Sequence, residues 1–201
     1  DGVFDAFRNR LIFPIHDEMG RPIAFGARKI DPEDEPKYLN SPESPVFEKS
    51  RTLYGMHLAR RAIIESKVAI VTEGYTDVIA CHQGGFENAV ATLGTAFTRE
   101  HARRLLRLCD TVILLFDGDE AGRRAADRAL EVLIAEPIDI KIAMLPEGED
   151  PDALLRTDEG VARFRAVLDG AEDALAHVLA GFKERLANAG GVSARQQVVQ
   201  A

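Results

Sequence analysis

The sequence predicts an α/β fold in which a four-stranded parallel sheet carries helices on both faces. Apolar runs typical of buried strands alternate with stretches of helical spacing between residues 53 and 145. The connections are short, and parallel strands linked through helices form right-handed crossovers that cover both faces of one sheet. Carboxylates stand just after three of these runs, at the edge where a sheet of this kind binds its ligands.

Composition is that of an ordinary globular protein of 201 residues, with 46% hydrophobic and 29% charged residues. This length suffices for one large domain or for a core domain with a smaller partner. No stretch reaches the roughly 20 apolar residues of a membrane span. Cys81 and Cys109 show neither metal-ligand spacing nor the pairing of a secreted scaffold, which indicates a reducing cytoplasm. Because the chain opens with Asp1 rather than Met, we expect a fragment of a longer protein.

The net charge of -8, taken alone, argues against a nucleic-acid partner. The distribution of charge weakens that argument. Arg and Lys are frequent in the first 60 residues, whereas the acidic excess gathers around the strand-end carboxylates and the C-terminal helices. Because a bound metal changes the local charge, an acidic edge beside a basic lobe can still bind a polyanion.

Residues 1–52 are predicted to form a partial, β-rich N-terminal subdomain of basic character. The apolar runs 11–15 and 22–28, joined by a turn at 16–21, predict a hairpin. The basic residues here form either a solvated face with structural salt bridges or a cradle for a triphosphate or nucleic-acid backbone. They are Arg8, Arg10, Arg28, Lys37, Lys49 and Arg51.

Residues 53–150 are predicted to form the parallel-sheet domain. A helix from Leu53 to Ile64 precedes the first strand, and Thr98 is expected to cap a later helix with His101 in place of a capping-box Glu. The predicted strands are 68–73, 89–93, 111–117 and 138–145, with a helix after each of the first three, the last of these helices spanning about 120–135.

Residues 151–201 are predicted to form a truncated C-terminal helical subdomain. Pro151 is expected at a first helical position, and the stretches 159–168 and 171–188 are amphipathic. Gly190 and Gly191 interrupt the second stretch, and a further helix is expected beyond them.

Three strand ends carry the residues that predict chemistry. Asp117 and Asp119, separated by a glycine, direct two carboxylates toward one point, although a turn with a helix cap would use the same residues. Glu73 follows five apolar residues and must be solvated, paired or bound to a cation. Asp150 and Asp152 repeat the pattern after the next strand. Carboxylates at three such ends suit magnesium ions that clamp the reacting oxygens of phosphoryl transfer.

Six motifs, in this order and at this spacing, carry a resemblance to a known family. Four of them resemble the fold shared by topoisomerases and primases: 73–78, 93–95, 117–122 and 149–152. Two more, 8–15 and 36–42, narrow the resemblance to the catalytic core of the bacterial replicative DNA primases. The resemblance covers about residues 7–185.

The resemblance implies a DNA-dependent RNA polymerase that synthesises short RNA primers on single-stranded DNA from nucleoside triphosphates for replication. It implies Mg²⁺ or Mn²⁺ as the cofactor, with Glu73, Asp117 and Asp119 as the catalytic metal ligands and Asp150 and Asp152 completing the metal set. The residues implied to contact nucleotide or template are Arg8, Asn9, Arg10, Arg28, Lys37, Asn40 and Lys49.

The resemblance also implies parts of the enzyme outside this chain. A zinc-binding domain should precede it and a helicase-binding domain should follow it, so zinc and the replicative helicase are expected to bind elsewhere. Template, nucleoside triphosphates and RNA primer are the partners expected here, in the cytoplasm at the replication fork. One departure is Ala27, which stands where the family usually has the second glycine of Gly-Gly-Arg.

Two alternatives stay open at this point. A nuclease or topoisomerase domain could use the same acidic edge, but a topoisomerase needs a nucleophilic Tyr on another module, and the motif 37–42 favours a primase. A non-catalytic module could bind a structural cation through the same carboxylates.

Overall fold

A computed structural model describes residues 5–118, 132 and 136–188. Its first part is an antiparallel sheet of three strands in the order β1-β2-β3, with β1 at Arg10–His16, β2 at Pro22–Lys29 and β3 at Tyr38–Asn40. The predicted hairpin is confirmed. Its turn is closed by Asp17, whose Oδ1 accepts hydrogen bonds from the backbone N–H groups of Met19 and Arg21, as short polar side chains in turns commonly do.

The second sheet contains four parallel strands, as predicted, and one strand that was not predicted. The parallel strands are β4 (Val68–Thr72), β5 (Ala89–Ala91), β6 (Thr111–Phe116) and β7 (Asp139–Met144), in the order β5-β4-β6-β7. The fifth strand, β8 (Glu172–Asp173), pairs antiparallel with β7. Two acidic residues carry no strand pattern, so β8 forms only because β7 offers an unpaired edge.

Six described helices surround this sheet. They are α1 (Met56–Ser66), α2 (Tyr75–Gln83), α3 (Arg99–Leu105), α4 (Pro151–Leu154), α5 (Asp158–Asp169) and α6 (Ala174–Asn188). The helix predicted over 120–135 lies outside the described residues, apart from residue 132. The helix predicted from 171 begins at Ala174, because the residues before it pair with β7. None of the described helices is long and apolar enough to cross a membrane.

Alternating strand residues divide the core between the two faces of the large sheet. On β4, Val71 packs with α1 and α3, whereas Ile70 packs with α2 and α5. On β6, Leu114 and Leu115 divide in the same way, because successive strand side chains point to opposite faces. Helices on both faces of a parallel sheet, the predicted architecture, are therefore confirmed.

A third apolar cluster joins the two sheets. Phe13, Ile15 and Phe47 of the N-terminal part pack with Tyr75, at the start of α2, and with Leu93, just after β5. The antiparallel sheet is thus seated on the same ends of the parallel strands that carry the predicted acidic residues.

The start of α3 adds a polar link between the two parts. Thr98 and His101 form the predicted capping box: Thr98 Oγ1 accepts from the His101 N–H, and His101 Nδ1 accepts from the Thr98 N–H. The other ring nitrogen, Nε2, lies 3.0 Å from the Lys49 carbonyl oxygen, so it must carry the proton and donate. The fully buried imidazole is therefore held as one neutral tautomer.

His101 should make the protein less stable in acid. Burial lowers the pKa of His101 from 6.5 to about 4, and a second ring proton would oppose the Thr98 N–H. The neutral form is favoured on folding, so this contribution is complete above pH 6.5 and is lost as the pH falls toward 4, by up to about 3 kcal/mol. Urea unfolding at pH 7, 5.5 and 4.5 should show this loss in the wild type. The His101→Gln variant should be less stable than the wild type at pH 7 but should not lose stability in this way as the pH falls. Equal pH slopes would contradict the assignment.

Candidate active site

The strand order brings three strand ends to one edge of the large sheet. Glu73 follows β4, Asp117 follows its neighbour β6, and Asp150 and Asp152 lie at the start of α4, shortly after β7. These four residues, called the acidic edge below, line one cleft of about 350 Å³. From β4 the chain first adds β5 on one side and then crosses over to add β6 and β7 on the other side. The carboxyl ends of β4 and β6 therefore form a topological switch point, where α/β sheets bind ligands.

The turn from β4 into α2 holds Glu73 at the cleft. Gly74 is extended (φ -134°, ψ 168°) and occupies the N-cap position, so Glu73 stands directly before the helix. The Gly74 N–H donates to Asp77 Oδ2 at 2.9 Å, which closes the first turn of α2. The close contact leaves little room for a side chain at position 74, because a Cβ there would lie 3.2 Å from the same carboxylate oxygen.

The turn after β6 is wedged against the segment that follows β7. A Cβ on Gly118 would overlap the carbonyl oxygen of Leu145, and the Leu145 N–H donates to the Phe116 carbonyl at 2.9 Å. This packing places Asp117 beside the chain that leads to Asp150. Asp119, the third of the predicted catalytic metal ligands, lies outside the described residues.

The two carboxylates at α4 also stabilise local structure. Asp150 is the N-cap, with its Oδ1 accepting from the Ala153 N–H at 2.7 Å, and Pro151 occupies the predicted first helical position. Asp152 pairs with Arg156 at 2.7 Å on the surface of α4. Each of these residues therefore stabilises α4 and also lines the cleft.

The donor set suits a hard cation that keeps water or substrate oxygens, rather than a closed protein cage. Within residues 5–118, 132 and 136–188, no group of three or more His, Cys, Asp or Glu side chains is close enough to hold a metal ion. All donors on the acidic edge are carboxylate oxygens. Mg²⁺ commonly takes one or two of these and fills its remaining positions with water and phosphate. Metal ligation by these residues, including Asp119, stays a prediction.

A basic wall faces the acidic edge across the cleft. It consists of Arg28 on β2, Lys37 just before β3, and Tyr38, whose ring centre lies 5.8 Å from the Arg28 guanidinium carbon and 5.6 Å from the Lys37 Nζ. Neither cation forms an ion pair with a carboxylate of the described part of the chain, whereas eight other arginines there do. The cleft therefore presents two cations that are available to an anionic ligand.

Asn40 lines the cleft but is partly engaged within the protein. Its Oδ1 accepts a hydrogen bond from the Tyr75 hydroxyl, and its Nδ2 donates to the Leu93 carbonyl at 3.2 Å. An amide group has two donors and two acceptor lone pairs, so one of each is left for a ligand.

Four of the predicted nucleotide or template contacts do not line this cleft. Arg8 is exposed on the surface, and Asn9 donates to Asp34 Oδ2 at 3.1 Å. Arg10 donates to the Pro36 and Glu35 carbonyls, so it supports the segment that leads into Lys37. Lys49 contributes its carbonyl oxygen to His101. Contacts of these side chains with an extended nucleic acid stay predictions.

Asp77 is a cleft residue that the sequence reasoning missed. Burial raises its pKa from 3.8 to about 7, the Gly74 N–H lowers it, and the negative charges of Asp117, Asp150 and Glu73 raise it further. Its spacing from Gly74 is that of a capping box, and this local role hid its place in the site. The motif 73–78 was the signal that could have identified it.

Removing the charge of Asp77 should stabilise the protein at alkaline pH. The raised pKa means that the folded state disfavours the carboxylate, so stability is highest below about pH 4 and falls as the pH rises to 7. Asp77→Asn keeps an oxygen for the Gly74 N–H. In chelator at pH 8 it should therefore be more stable than the wild type by as much as about 4 kcal/mol in urea unfolding. At pH 4 the difference should vanish. Asp110→Asn, at the opposite end of β6, should show no such gain, and an equal gain there would contradict the assignment.

Comparison with known proteins agrees with this architecture. Residues 1–60 match the family of the N-terminal domain of the DNA primase catalytic core, and residues 70–155 match the Toprim-like family. The DNA primase of Pseudomonas aeruginosa is 52% identical over 166 residues, which is 81% of this chain and 25% of that protein. The chain thus spans about a quarter of the length of this curated relative.

Solved structures give the same result. A DNA primase domain from Pseudomonas aeruginosa has a TM-score of 0.82 and 48% identity, over 92% of this chain and 57% of that one. The DnaG primase catalytic domain bound to single-stranded DNA has a TM-score of 0.82 and 40% identity, over 98% of this chain and 63% of that one. The resemblance predicted from the motifs is confirmed: the chain belongs to the bacterial DNA primase family.

Proposed function

We propose that this chain forms the nucleotidyl-transfer centre of a DNA primase, which extends an RNA primer on single-stranded DNA. The observation that carries the proposal is the cleft, in which the acidic edge and the basic wall face each other. A similar primase domain has been solved with single-stranded DNA, which supports a nucleic-acid template for this chain as well. Primer and nucleoside triphosphates are the further substrates that this proposal requires.

The basic wall would bind the triphosphate. Lys37 acts as a point charge and Arg28 as a planar donor that can grip two phosphate oxygens. Because neither forms an ion pair with a carboxylate of the described residues, phosphate oxygens can replace water around both without breaking an ion pair. Both cations lie within 6 Å of the Tyr38 ring centre, at 5.8 Å for Arg28 and 5.6 Å for Lys37, so they belong to the same wall of the cleft and could meet neighbouring phosphates.

The acidic edge would hold the divalent cation. Glu73 and Asp117 are its proposed main ligands, together with Asp119, and Asp150 and Asp152 would complete the set. When bound, Mg²⁺ or Mn²⁺ would lower the pKa of the primer 3′-hydroxyl and stabilise the charge that develops on the α-phosphate. Without a cation, the carboxylates would repel the triphosphate that the basic wall attracts. Substrate binding and metal binding should therefore depend on each other.

The remaining expectations concern the longer enzyme. Arg8, Asn9, Arg10 and Lys49 are proposed to contact the template beyond the cleft. We also propose the division into 1–52, 53–150 and 151–201, which is supported by the change from antiparallel to parallel sheet and by the start of α4 at Pro151. A zinc-binding domain, a helicase-binding domain and action at the replication fork in the cytoplasm belong to the same proposal.

Asp117→Asn should remove primer synthesis with little effect on the fold. The substitution keeps the size of the side chain and removes its charge, so transition-state stabilisation by a metal is lost and the rate should fall at least about 100-fold. A suitable assay measures ribonucleotide incorporation on single-stranded DNA by a Pseudomonas aeruginosa primase in which this chain replaces the matching segment. Asp110→Asn, at the other end of β6, is the matched control. Full activity of Asp117→Asn would contradict the proposed role of Asp117 as a metal ligand.

Lys37→Gln should weaken nucleotide binding more than it slows the chemical step. Loss of a charge-assisted contact with a phosphate should raise KM for the triphosphate about 10-fold to 100-fold, with a smaller change in kcat. Lys67→Gln, at the far end of α1, removes an equal charge away from the cleft and should leave both constants unchanged. Steady-state kinetics of the same hybrid enzyme provide the measurement. An unchanged KM for Lys37→Gln would exclude the triphosphate contact.

A further inference from the structure

Tyr75 lies two residues after Glu73, yet its side chain is buried in the interface between the two sheets. Its ring stacks on Phe13, with ring centres 5.1 Å apart and planes inclined by 16°, and it meets the edges or faces of Tyr54 and Tyr38 at 5.0 and 6.0 Å. The ring also occupies the space above Gly26, where any Cβ would overlap it. Helix α2 is thereby anchored to strands β1 and β2.

The hydroxyl of Tyr75 continues this contact into the cleft. It donates to Asn40 Oδ1 on β3, and Asn40 Nδ2 donates to the Leu93 carbonyl after β5. Leu93 precedes Gly94, which has a φ of 74° and lines the cleft. A line of two hydrogen bonds thus runs from α2, through β3, to the loop after β5. We call these residues, Tyr75, Asn40 and Leu93, the brace.

The brace ties together the two sides of the cleft. Tyr75 shares the β4–α2 turn with Glu73 of the acidic edge, and Asn40 shares β3 and its entry with Tyr38 and Lys37 of the basic wall. A second contact, between the Tyr38 hydroxyl and Thr76 Oγ1, is longer, at 3.5 Å. The hydrogen bond to Asn40 is therefore the stronger polar link between β3 and the turn that carries Glu73.

We propose that Tyr75 is a positioning residue that, through Asn40, sets the separation between the basic wall and the acidic edge. This inference rests on the proposed function, because it states how that site is aligned. A triphosphate held by Lys37 must present its α-phosphate to a cation held by Glu73 and Asp117. A small displacement of β3 would break that alignment, since reacting groups misplaced by about 1 Å can cost 100-fold in rate.

Two simpler roles predict different behaviour. If Tyr75 only fills the core, Tyr75→Phe should be silent, because the phenylalanine ring retains the stacking on Phe13. If Asn40 acts only as a ligand contact, Asn40→Ala should weaken nucleotide binding while Tyr75→Phe does not. The brace predicts that both substitutions act, and that their effects do not add when combined.

The first test measures backbone hydrogen exchange in this chain, without nucleotide. In Tyr75→Phe the amide of Ser41, which is bonded to the Phe25 carbonyl beside Asn40, should exchange about tenfold faster, because one hydrogen bond that holds β3 is lost. Amides at the β1–β2 pairing should keep their rates. Tyr54→Phe is the matched control, since it removes a hydroxyl from the same aromatic cluster outside the brace. Unchanged exchange at Ser41 in Tyr75→Phe would overturn the proposal.

The second test is kinetic and uses the hybrid Pseudomonas aeruginosa enzyme with ATP, GTP, CTP and UTP. Tyr75→Phe should raise KM for the nucleotides about tenfold and lower kcat, with a melting temperature close to that of wild type, whereas Tyr54→Phe should change neither constant. The double variant with Asn40→Ala should be no worse than Asn40→Ala alone. Wild-type kinetics in Tyr75→Phe, or additive losses in the double variant, would overturn the positioning role.

Failure of the proposed function would be recognised separately. In that case the hybrid enzyme with the unaltered chain would make no primer, and Asp117→Asn would change nothing. Faster exchange at Ser41 in Tyr75→Phe, but not in Tyr54→Phe, would still support the brace as the link that sets the geometry of the cleft.

Discussion

Electrostatic repulsion among carboxylates at one sheet edge is the constraint on which the site depends. Parallel strands β4, β6 and β7 deliver Glu73, Asp117 and Asp150 to the same cleft. The same three carboxylates act on Asp77: burial is the main cause that raises its pKa, and their negative charges raise it further. A divalent cation bound at this edge would reduce the repulsion among these carboxylates. The helix cap at Asp150 and the Asp152–Arg156 pair offset part of the repulsion, but neither brings a cation into the cleft.

The two cations that line the same cleft come from a different sheet. Arg28 and Lys37 belong to the antiparallel part, which reaches the acidic edge through an interface of aromatic rings around Tyr75. Gly26 permits this close approach because it has no Cβ, which would overlap the Tyr75 ring. This glycine therefore influences the width of the cleft. If the cleft binds substrate as proposed, packing between the sheets would set the geometry of that substrate, and substitutions in the interface would affect the site without touching the ligand.

Sequence patterns predicted the parallel strands well because each is an apolar run bounded by polar turn residues. They could not predict β8, since Glu172 and Asp173 become a strand only through the exposed edge of β7. The same limit applies to the site. Composition cannot show which of several basic residues turn inward: Arg28 and Lys37 line the cleft, whereas Arg10 is held by backbone carbonyls. Asp77 was missed because its spacing from Gly74 is fully accounted for by a helix cap.

A chain with a net charge of -8 can still bind a polyanion because its positive and negative side chains lie in different places. Most arginines of the described residues are neutralised locally, as in the pairs of Arg103 with Glu136 and of Arg104 with Glu18. Such pairs reduce the long-range field of the surface without contributing to the cleft. Arg28 and Lys37 lack such partners among the described carboxylates, so both are available to an anionic ligand in the cleft. In the proposed function, phosphates would meet these two cations on one side of the cleft, and a divalent cation would meet the carboxylates on the other. The net charge of the chain therefore says little about its substrate, and the arrangement of acidic and basic side chains around one cleft says much more.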